Sequence, residues 1–73
     1  MRLDFTDFTK AECDYFREQC NFTEDERVVF DLRVKGKTTV QILMALQDTR
    51  HAMAKATIER RIQSIKRKIV RIV

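Results

Sequence analysis

The amino-acid sequence predicts an all-α fold, a small bundle of four helices that contains a helix-turn-helix and ends in a long basic recognition helix. The 73-residue chain has one glycine and no proline, so tight β-turns have little suitable sequence. Three Thr-x-x-Glu/Gln capping boxes mark helix starts, and a long amphipathic stretch fills the C-terminus. We expect one domain over 1–73, with the first helix and its lead-in in 1–21 and the helix-turn-helix unit in 22–73.

The first capping box, Thr9 with Glu12, predicts a helix over residues 10–19. Three of its apolar positions share one side: Cys13, Phe16 and Cys20. A spacing of seven residues along a helix is roughly 10 Å, which is too far for a disulfide, so we expect reduced cysteines in the core. We expect three apolar residues of the lead-in to cover a core edge: Leu3, Phe5 and Phe8.

The second and third capping boxes predict two more helices. Thr23 opens a helix that runs to about residue 35, and Gly36 supplies the left-handed residue that closes it. Three carboxylates in its first turn suit the positive end of the helix dipole: Glu24, Asp25 and Glu26. Thr38 with Gln41 opens a short third helix. We expect its apolar residues to face inward, with Ile42 beside them: Val40, Leu43 and Leu46.

The last helix is defined by an isoleucine stripe and a basic remainder. Isoleucines step by four, three, four and three, so they line one side: Ile58, Ile62, Ile65, Ile69 and Ile72. Six bases and a single acid, Glu59, stand between them. A helix with one buried stripe and a cationic remainder matches the major groove of DNA in shape and charge.

Charge is divided unevenly along the chain. Residues 1–31 carry nine acids and four bases, whereas residues 32–73 carry eleven bases and two acids, within a formal net charge of +4. A basic end suits a polyanionic partner. No apolar run reaches the length of a membrane span, and no signal peptide is recognisable, so we expect a cytoplasmic protein. The sequence carries no metal-ligand spacing, cofactor motif or activated nucleophile, so we expect neither a metal site nor an enzyme.

Residues 22–69 carry several short motifs in a defined order. They are FTEDER (22–27), FDL (30–32), KGKT (35–38), Ile42, Leu46, TI (57–58), RRI (60–62), Ile65 and KI (68–69). Together they resemble the helix-turn-helix domain shared by bacterial sigma-factor region four and LuxR-type regulators. The resemblance implies sequence-specific binding of double-stranded DNA and regulation of transcription, with RNA polymerase as a further partner. It also suggests an origin in a Gram-positive bacterium or its phage.

The spacing between the last two helices departs from the resembling families. Leu46 and Thr57 are eleven steps apart, so residues 47–52 look like an insertion in the turn. Residues 47–53 then form either a longer loop, with Met53 in the apolar turn position, or an early start of the last helix. An early start uses Asp48 or Thr49 as the cap and buries His51 and Ala54. Because the segment lacks Gly and Pro, we favour the early start.

The predicted DNA contacts follow from the helical period of the last helix. With its isoleucines buried, a 100° step places five residues opposite: Ala56, Arg60, Ser64, Arg67 and Arg71. On one shoulder lie Thr57, Arg61 and Lys68. The candidates for base edges are Thr57, Arg60, Arg61 and Ser64, because a recognition helix reads bases with its first turns. The candidates for phosphate contacts are Lys37, Thr38, Lys55, Arg67, Lys68 and Arg71.

Alternative functions stay open at this point. The chain is also suited to a protein-interaction module that binds RNA polymerase, or to a small inhibitor of another host nucleic-acid-binding protein. The apolar C-terminal residues Val70, Ile72 and Val73 suit either packing on the N-terminal aromatic residues or a homodimer seam. Attachment of the basic helix to a membrane surface is disfavoured because tryptophan is absent.

Overall fold

The regular structure of the chain is entirely helical over residues 4–73, the part that the computed structural model describes. A short 3-10 helix (Phe5–Asp7) precedes four α-helices: α1 (Lys10–Gln19), α2 (Glu24–Val34), α3 (Thr39–Leu46) and α4 (Lys55–Ile72). The predicted all-α fold with four helices is therefore confirmed. Leu3, expected at a core edge, lies outside the described residues. Within residues 4–73, no helix is long and apolar enough to cross a lipid bilayer.

All three predicted capping boxes are present. In each, the threonine side chain accepts from the third helical N–H and the Glu or Gln side chain accepts from the threonine N–H. Each box satisfies two backbone donors that would otherwise lack a partner. Gly36 ends α2 with a φ of 88°, where its N–H donates to Arg33 and the next N–H donates to Leu32. This pair of bonds is a Schellman motif, which requires a left-handed residue.

The core lies between α2, α3 and α4. Four of the five isoleucines of α4 are buried: Ile58, Ile62, Ile65 and Ile69. They face Val29 and Phe30 of α2 and Ile42 of α3, each without exposed surface. Aromatic rings of the N-terminal segment and of α1 close one side around Phe30: Phe5, Phe8, Phe16 and Phe22. The expected core roles of Phe5 and Phe8 are confirmed.

The inward face of α3 differs from the prediction. Ile42 and Leu46 are buried, Leu43 is half-buried, and Val40 is 49% exposed. Since α3 meets the core along the line of Ile42 and Leu46, a residue two positions before Ile42 lies on the opposite side of the helix. The expectation that Val40 faces inward is therefore wrong, and Ile42 takes the central position.

The favoured early start of the last helix is also wrong, because α4 begins at Lys55. Residues 47–54 form a connection of turns, in which the Thr49 hydroxyl donates to the Leu46 carbonyl and accepts from the His51 N–H. These local bonds compete with helix formation. Ala54 is exposed, His51 is half-buried, and Met53 packs against the core. The longer loop with Met53 in the apolar turn position is the arrangement found.

The C-terminal apolar residues divide between core and surface. Ile72 is half-buried against the core, whereas Val70 and Val73 are exposed. The C-terminus of α4 therefore closes the fold with one side chain and leaves two on the surface.

Candidate nucleic-acid interface

The outward face of α4 presents cations that form no ion pair within residues 4–73. Arg60, Arg67 and Arg71 are exposed on the side of the helix opposite the isoleucine stripe, and Lys55 is exposed at its start. Among the ion pairs formed within residues 4–73, none involves these four side chains. Their charges are therefore available to a ligand.

A shallow open depression of about 380 Å³ lies along the same face. Its lining residues are Ala56, Glu59, Arg60, Gln63 and Arg67. Glu59 and Gln63 are exposed and are not among the residues predicted from the sequence. On the helical wheel both residues lie beside Ala56 and Arg60. A prediction of contact residues from positive charge alone does not include them. The face therefore carries an amide and a carboxylate as well as guanidinium groups.

Two predicted contact residues are turned toward the protein instead. The Ser64 hydroxyl donates to Oε2 of Glu26 and the Lys68 ammonium donates to Oε1 of Glu26, each at 2.5 Å. Both side chains are half-buried. The placement of Ser64 directly opposite the isoleucines is corrected, because α2 covers the side of α4 on which Ser64 and Lys68 lie. Ser64 and Lys68 therefore hold the fold together at this position.

Their common partner, Glu26, is a buried carboxylate at 3% exposure. Burial raises the pKa of Glu26, but hydrogen bonds from Lys68, Ser64 and the Thr23 N–H, together with the Lys68 charge, outweigh it and lower the pKa to about 2. Glu26 is thus ionised at neutral pH, and it joins the capping box of α2 to the middle of α4.

The other predicted base-edge residues differ in exposure. Arg60 is fully outward, whereas Thr57 and Arg61 are half-buried on the shoulder of α4. The Nε of Arg61 is enclosed and has no hydrogen-bond partner within residues 4–73. Only Arg60 of the four predicted base-edge residues therefore stands fully on the open face.

The predicted phosphate contacts at the start of α3 remain at the surface. Lys37 and Thr38 are both exposed. The Thr38 hydroxyl accepts from the Gln41 N–H, and the Lys37 carbonyl accepts from the Arg33 guanidinium at 2.8 Å. The Lys37 side chain extends from a backbone position that is held by hydrogen bonds.

Several acids of the N-terminal half are paired within the protein. Arg17 binds Asp14 and Asp31, with nitrogen–oxygen distances of 2.9 and 2.7 Å. In the first turn of α2, Glu24 pairs with Arg50 and Asp25 contacts His51. These carboxylates therefore do more than complement the helix dipole: they pair with bases of α1 and of the connection, and none of them pairs with an arginine of α4.

The cysteines and the candidate metal ligands contribute no further site within the described residues. Cys13 and Cys20 are free thiols in the core, as expected, and burial raises the pKa of both. Over residues 4–73, no group of His, Cys, Asp and Glu side chains could hold a metal ion.

The open face of α4 combines positive charge with hydrogen-bonding capacity. Guanidinium groups donate in a planar fork that fits phosphates and guanine edges, and the Gln63 amide both donates and accepts. This arrangement can bind a polyanion and distinguish hydrogen-bonding groups on it. Comparisons with protein families, curated proteins and solved structures gave no match. The function is therefore inferred from this surface.

Proposed function

We propose that this chain is a sequence-specific double-stranded DNA-binding protein that regulates transcription in a Gram-positive phage or mobile element. In this proposal α3, the connection 47–54 and α4 form a helix-turn-helix, with α4 in the major groove and the start of α3 across the backbone. The single observation that carries it is the row of exposed arginines on α4, which form no ion pair with any other residue in the described range 4–73.

The charge distribution supports a phosphate-rich partner. Residues 32–73 hold eleven bases and two acids, and several carboxylates of the other half are paired internally. Lys37, Lys55, Arg67 and Arg71 are exposed at places that suit phosphate contact, at the starts of α3 and α4 and further along α4. Because phosphate contacts release counterions, affinity for duplex DNA should fall steeply as salt is added.

Base reading is assigned to the outward side of the first turns of α4. Arg60 has the fork geometry that guanine accepts, Gln63 can bond adenine at two atoms, and Ala56 is small enough to contact a thymine methyl group. Thr57 and Arg61 stand on the shoulder, where half-buried side chains suit contacts at the groove edge. Ser64 and Lys68 are left out of the contact set because Glu26 engages both.

The test is a mobility-shift titration with duplexes selected from a random pool. Arg60→Ala combined with Arg67→Ala should lower affinity at least tenfold, and the loss of Arg60 should also relax sequence preference. Each lost phosphate contact should reduce the slope of log K against log salt by about 0.9. Lys10→Ala with Arg27→Ala removes the same charge from exposed positions of α1 and α2 and is the matched control.

Failure of the unaltered chain to bind any duplex at low salt would refute the proposal. Equal losses in the α4 variant and in the control would also contradict it, because net charge alone would then explain binding. Sedimentation of the free and DNA-bound protein counts the copies per site and tests the homodimer.

The second candidate is a protein-interaction module that binds RNA polymerase, favoured by the outer face of α3. This helix contains no charged residue, and it exposes Val40 and 63% of Met44. Exposed apolar residues that share one helix face are a feature of protein-binding surfaces. Purified bacterial RNA polymerase tests this directly, with Met44→Glu expected to weaken binding and Gln19→Glu, at an exposed position of α1, as the charge-matched control. Unchanged binding by Met44→Glu would rule out this face.

A further inference from the structure

Three consecutive carboxylates in the first turn of α2 contact two parts of the chain that follows α3. We name Glu24, Asp25 and Glu26 the acidic turn. Glu24 pairs with Arg50, and Oδ1 of Asp25 lies 3.1 Å from Nδ1 of His51, both in the connection 47–54. Glu26 binds Ser64 and Lys68 in the middle of α4. The acidic turn thus contacts both the segment that leads into α4 and α4 itself.

The chain between α3 and α4 does not fix the direction of α4 by itself. A helix-turn-helix usually joins its helices through about three or four residues, and residues 47–54 are a longer connection. At the start of α4, Ala54 provides no side-chain cap. A longer connection allows more helix orientations than a tight turn does. Contacts from elsewhere are therefore needed to hold α4 at one angle.

In addition to the buried isoleucines of α4, the acidic turn supplies such contacts at two separated points. Its bonds to Arg50 and His51 hold the chain just before α4, and its bonds to Ser64 and Lys68 hold one side of α4, one helical turn apart. The isoleucine stripe fixes which side of α4 is buried, and these two contact points further restrict the direction of the helix and its rotation about its own axis. That rotation determines that Arg60 and Gln63 face outward.

The three contacts differ in their shielding from solvent. The Glu24–Arg50 pair is largely exposed and contributes little alone. The His51 side chain is mostly enclosed, and Glu26 is buried. The contact made by Glu26 is therefore the best shielded, and that between Asp25 and His51 is intermediate, because Asp25 is 40% exposed.

We propose that the acidic turn is the positioning element that sets the sequence specificity of the DNA site. This inference rests on the proposed DNA-binding function. The acidic turn contacts no base itself. It holds the outward residues of α4 at one angle, so that their hydrogen-bonding groups match the base edges of the correct DNA sequence and do not match those of an incorrect one. Loss of the acidic turn should therefore reduce discrimination between sequences while the phosphate contacts stay in place.

The experiment compares affinities for two duplexes of equal length and base composition, one selected from a random pool and one scrambled. Glu24→Gln with Asp25→Asn removes the negative charges that hold Arg50 and His51 of the connection, and Glu26→Gln removes the charge that holds Lys68. Asp7→Asn with Glu18→Gln removes two exposed carboxylates outside the acidic turn and is the matched control for the double variant. Far-UV circular dichroism verifies that helix content is unchanged in the double variant.

We expect the control to raise both affinities by the same factor, since it only lowers repulsion of phosphate. The double variant should lower the ratio of the two affinities at least tenfold and leave the salt slope on scrambled DNA unchanged. Asp25→Glu, which retains the carboxylate, should keep the ratio within threefold of the unaltered chain.

Two outcomes overturn the inference in different ways. In the first, the ratio of the affinities for selected and scrambled DNA is the same in the unaltered chain, both acidic-turn variants and the control. That result shows that the acidic turn does not set specificity, while the proposed DNA binding still stands. Absence of binding by the unaltered chain overturns the proposed function, and the inference with it.

Discussion

Replacement of Glu26 by Gln tests how much the buried charge pair stabilises the fold. A glutamine at this position still accepts from the Thr23 N–H, so the capping box of α2 is retained. It can also stay in hydrogen-bond contact with Ser64. The change therefore removes mainly the charge interaction with Lys68, and leaves that ammonium in a half-buried site without its partner.

Two independent arguments give the size of the effect. Removal of one member of a buried ion pair usually lowers the free energy of unfolding by about 3–5 kcal/mol. We expect a value near the lower end for Glu26, because Lys68 retains some access to water. The pKa of Glu26 is lowered from 4.5 to about 2, and each unit corresponds to about 1.4 kcal/mol, so ionisation of Glu26 stabilises the fold by about 3 kcal/mol. We therefore expect Glu26→Gln to reduce the free energy of unfolding by about 3 kcal/mol.

The pH dependence of this contribution has a definite sign. Because the pKa of Glu26 is lower in the folded protein, its contribution is fully present above about pH 4.5 and is lost as pH falls toward about 2. Other carboxylates titrate in both the unaltered chain and the variant. The difference in stability between the two proteins should therefore shrink steadily across this window.

Urea unfolding followed by circular dichroism measures the effect at a series of pH values. Glu18→Gln is the control, because it makes the same chemical change at an exposed acid of α1 and should alter stability by less than about 0.5 kcal/mol. A Glu26→Gln variant within about 1 kcal/mol of the unaltered chain at pH 7 would refute the reasoning, since broken buried pairs cost more. A difference that does not change between pH 5 and pH 2 would contradict the assignment to ionised Glu26.

Two further predictions concern the backbone and the thiols. Gly36→Ala should cost about 1 kcal/mol in urea unfolding, because a φ of 88° strains any residue with a Cβ, while the nearest side-chain atom, on Thr6, leaves room at 3.7 Å; a neutral result would contradict the strain argument. Cys13 and Cys20 should react with a thiol reagent at pH 8 much more slowly in the native protein than in urea, because burial raises the pKa of both thiols. Equal rates in the two conditions would show that the thiols are accessible.

The helix starts that were predicted correctly depend on residues close together in sequence. A capping box involves positions three residues apart, and all three boxes form as expected. The Schellman end of α2 is similarly local, because it needs only one residue that tolerates a positive φ. The isoleucine stripe of α4 is buried because its spacing follows the helical period, and this holds independently of which helices pack against it.

The start of α4 could not be predicted because distant residues determine it. Residues 47–54 contain helix formers and no Gly or Pro, so local preference favours a helix. In the fold, Arg50 and His51 instead contact acids 26 positions earlier, and Thr49 binds nearby backbone groups. Tertiary contacts of this kind override a weak local preference.

The composition of the candidate interface was also only partly predictable. A helical wheel separates the isoleucines of α4 from its arginines, and it correctly puts Arg60 and Arg67 outside. It does not say from which side another helix approaches. Because α2 approaches on the side of Ser64 and Lys68, these two residues are turned inward toward Glu26, and Gln63 joins the open face instead.

The sequence by itself determined where three of the four helices begin, which side of the last helix is buried, and where the positive charge gathers. These properties arise from hydrogen bonds, helical periodicity and charge within a few residues of one another. Only the tertiary structure decided where α4 begins, which helix covers its Ser64 and Lys68 side, and which of its cations pair with an acid within residues 4–73. The physical reason is that these features depend on the first turn of α2, whose carboxylates contact residues 26 to 42 positions further along the chain.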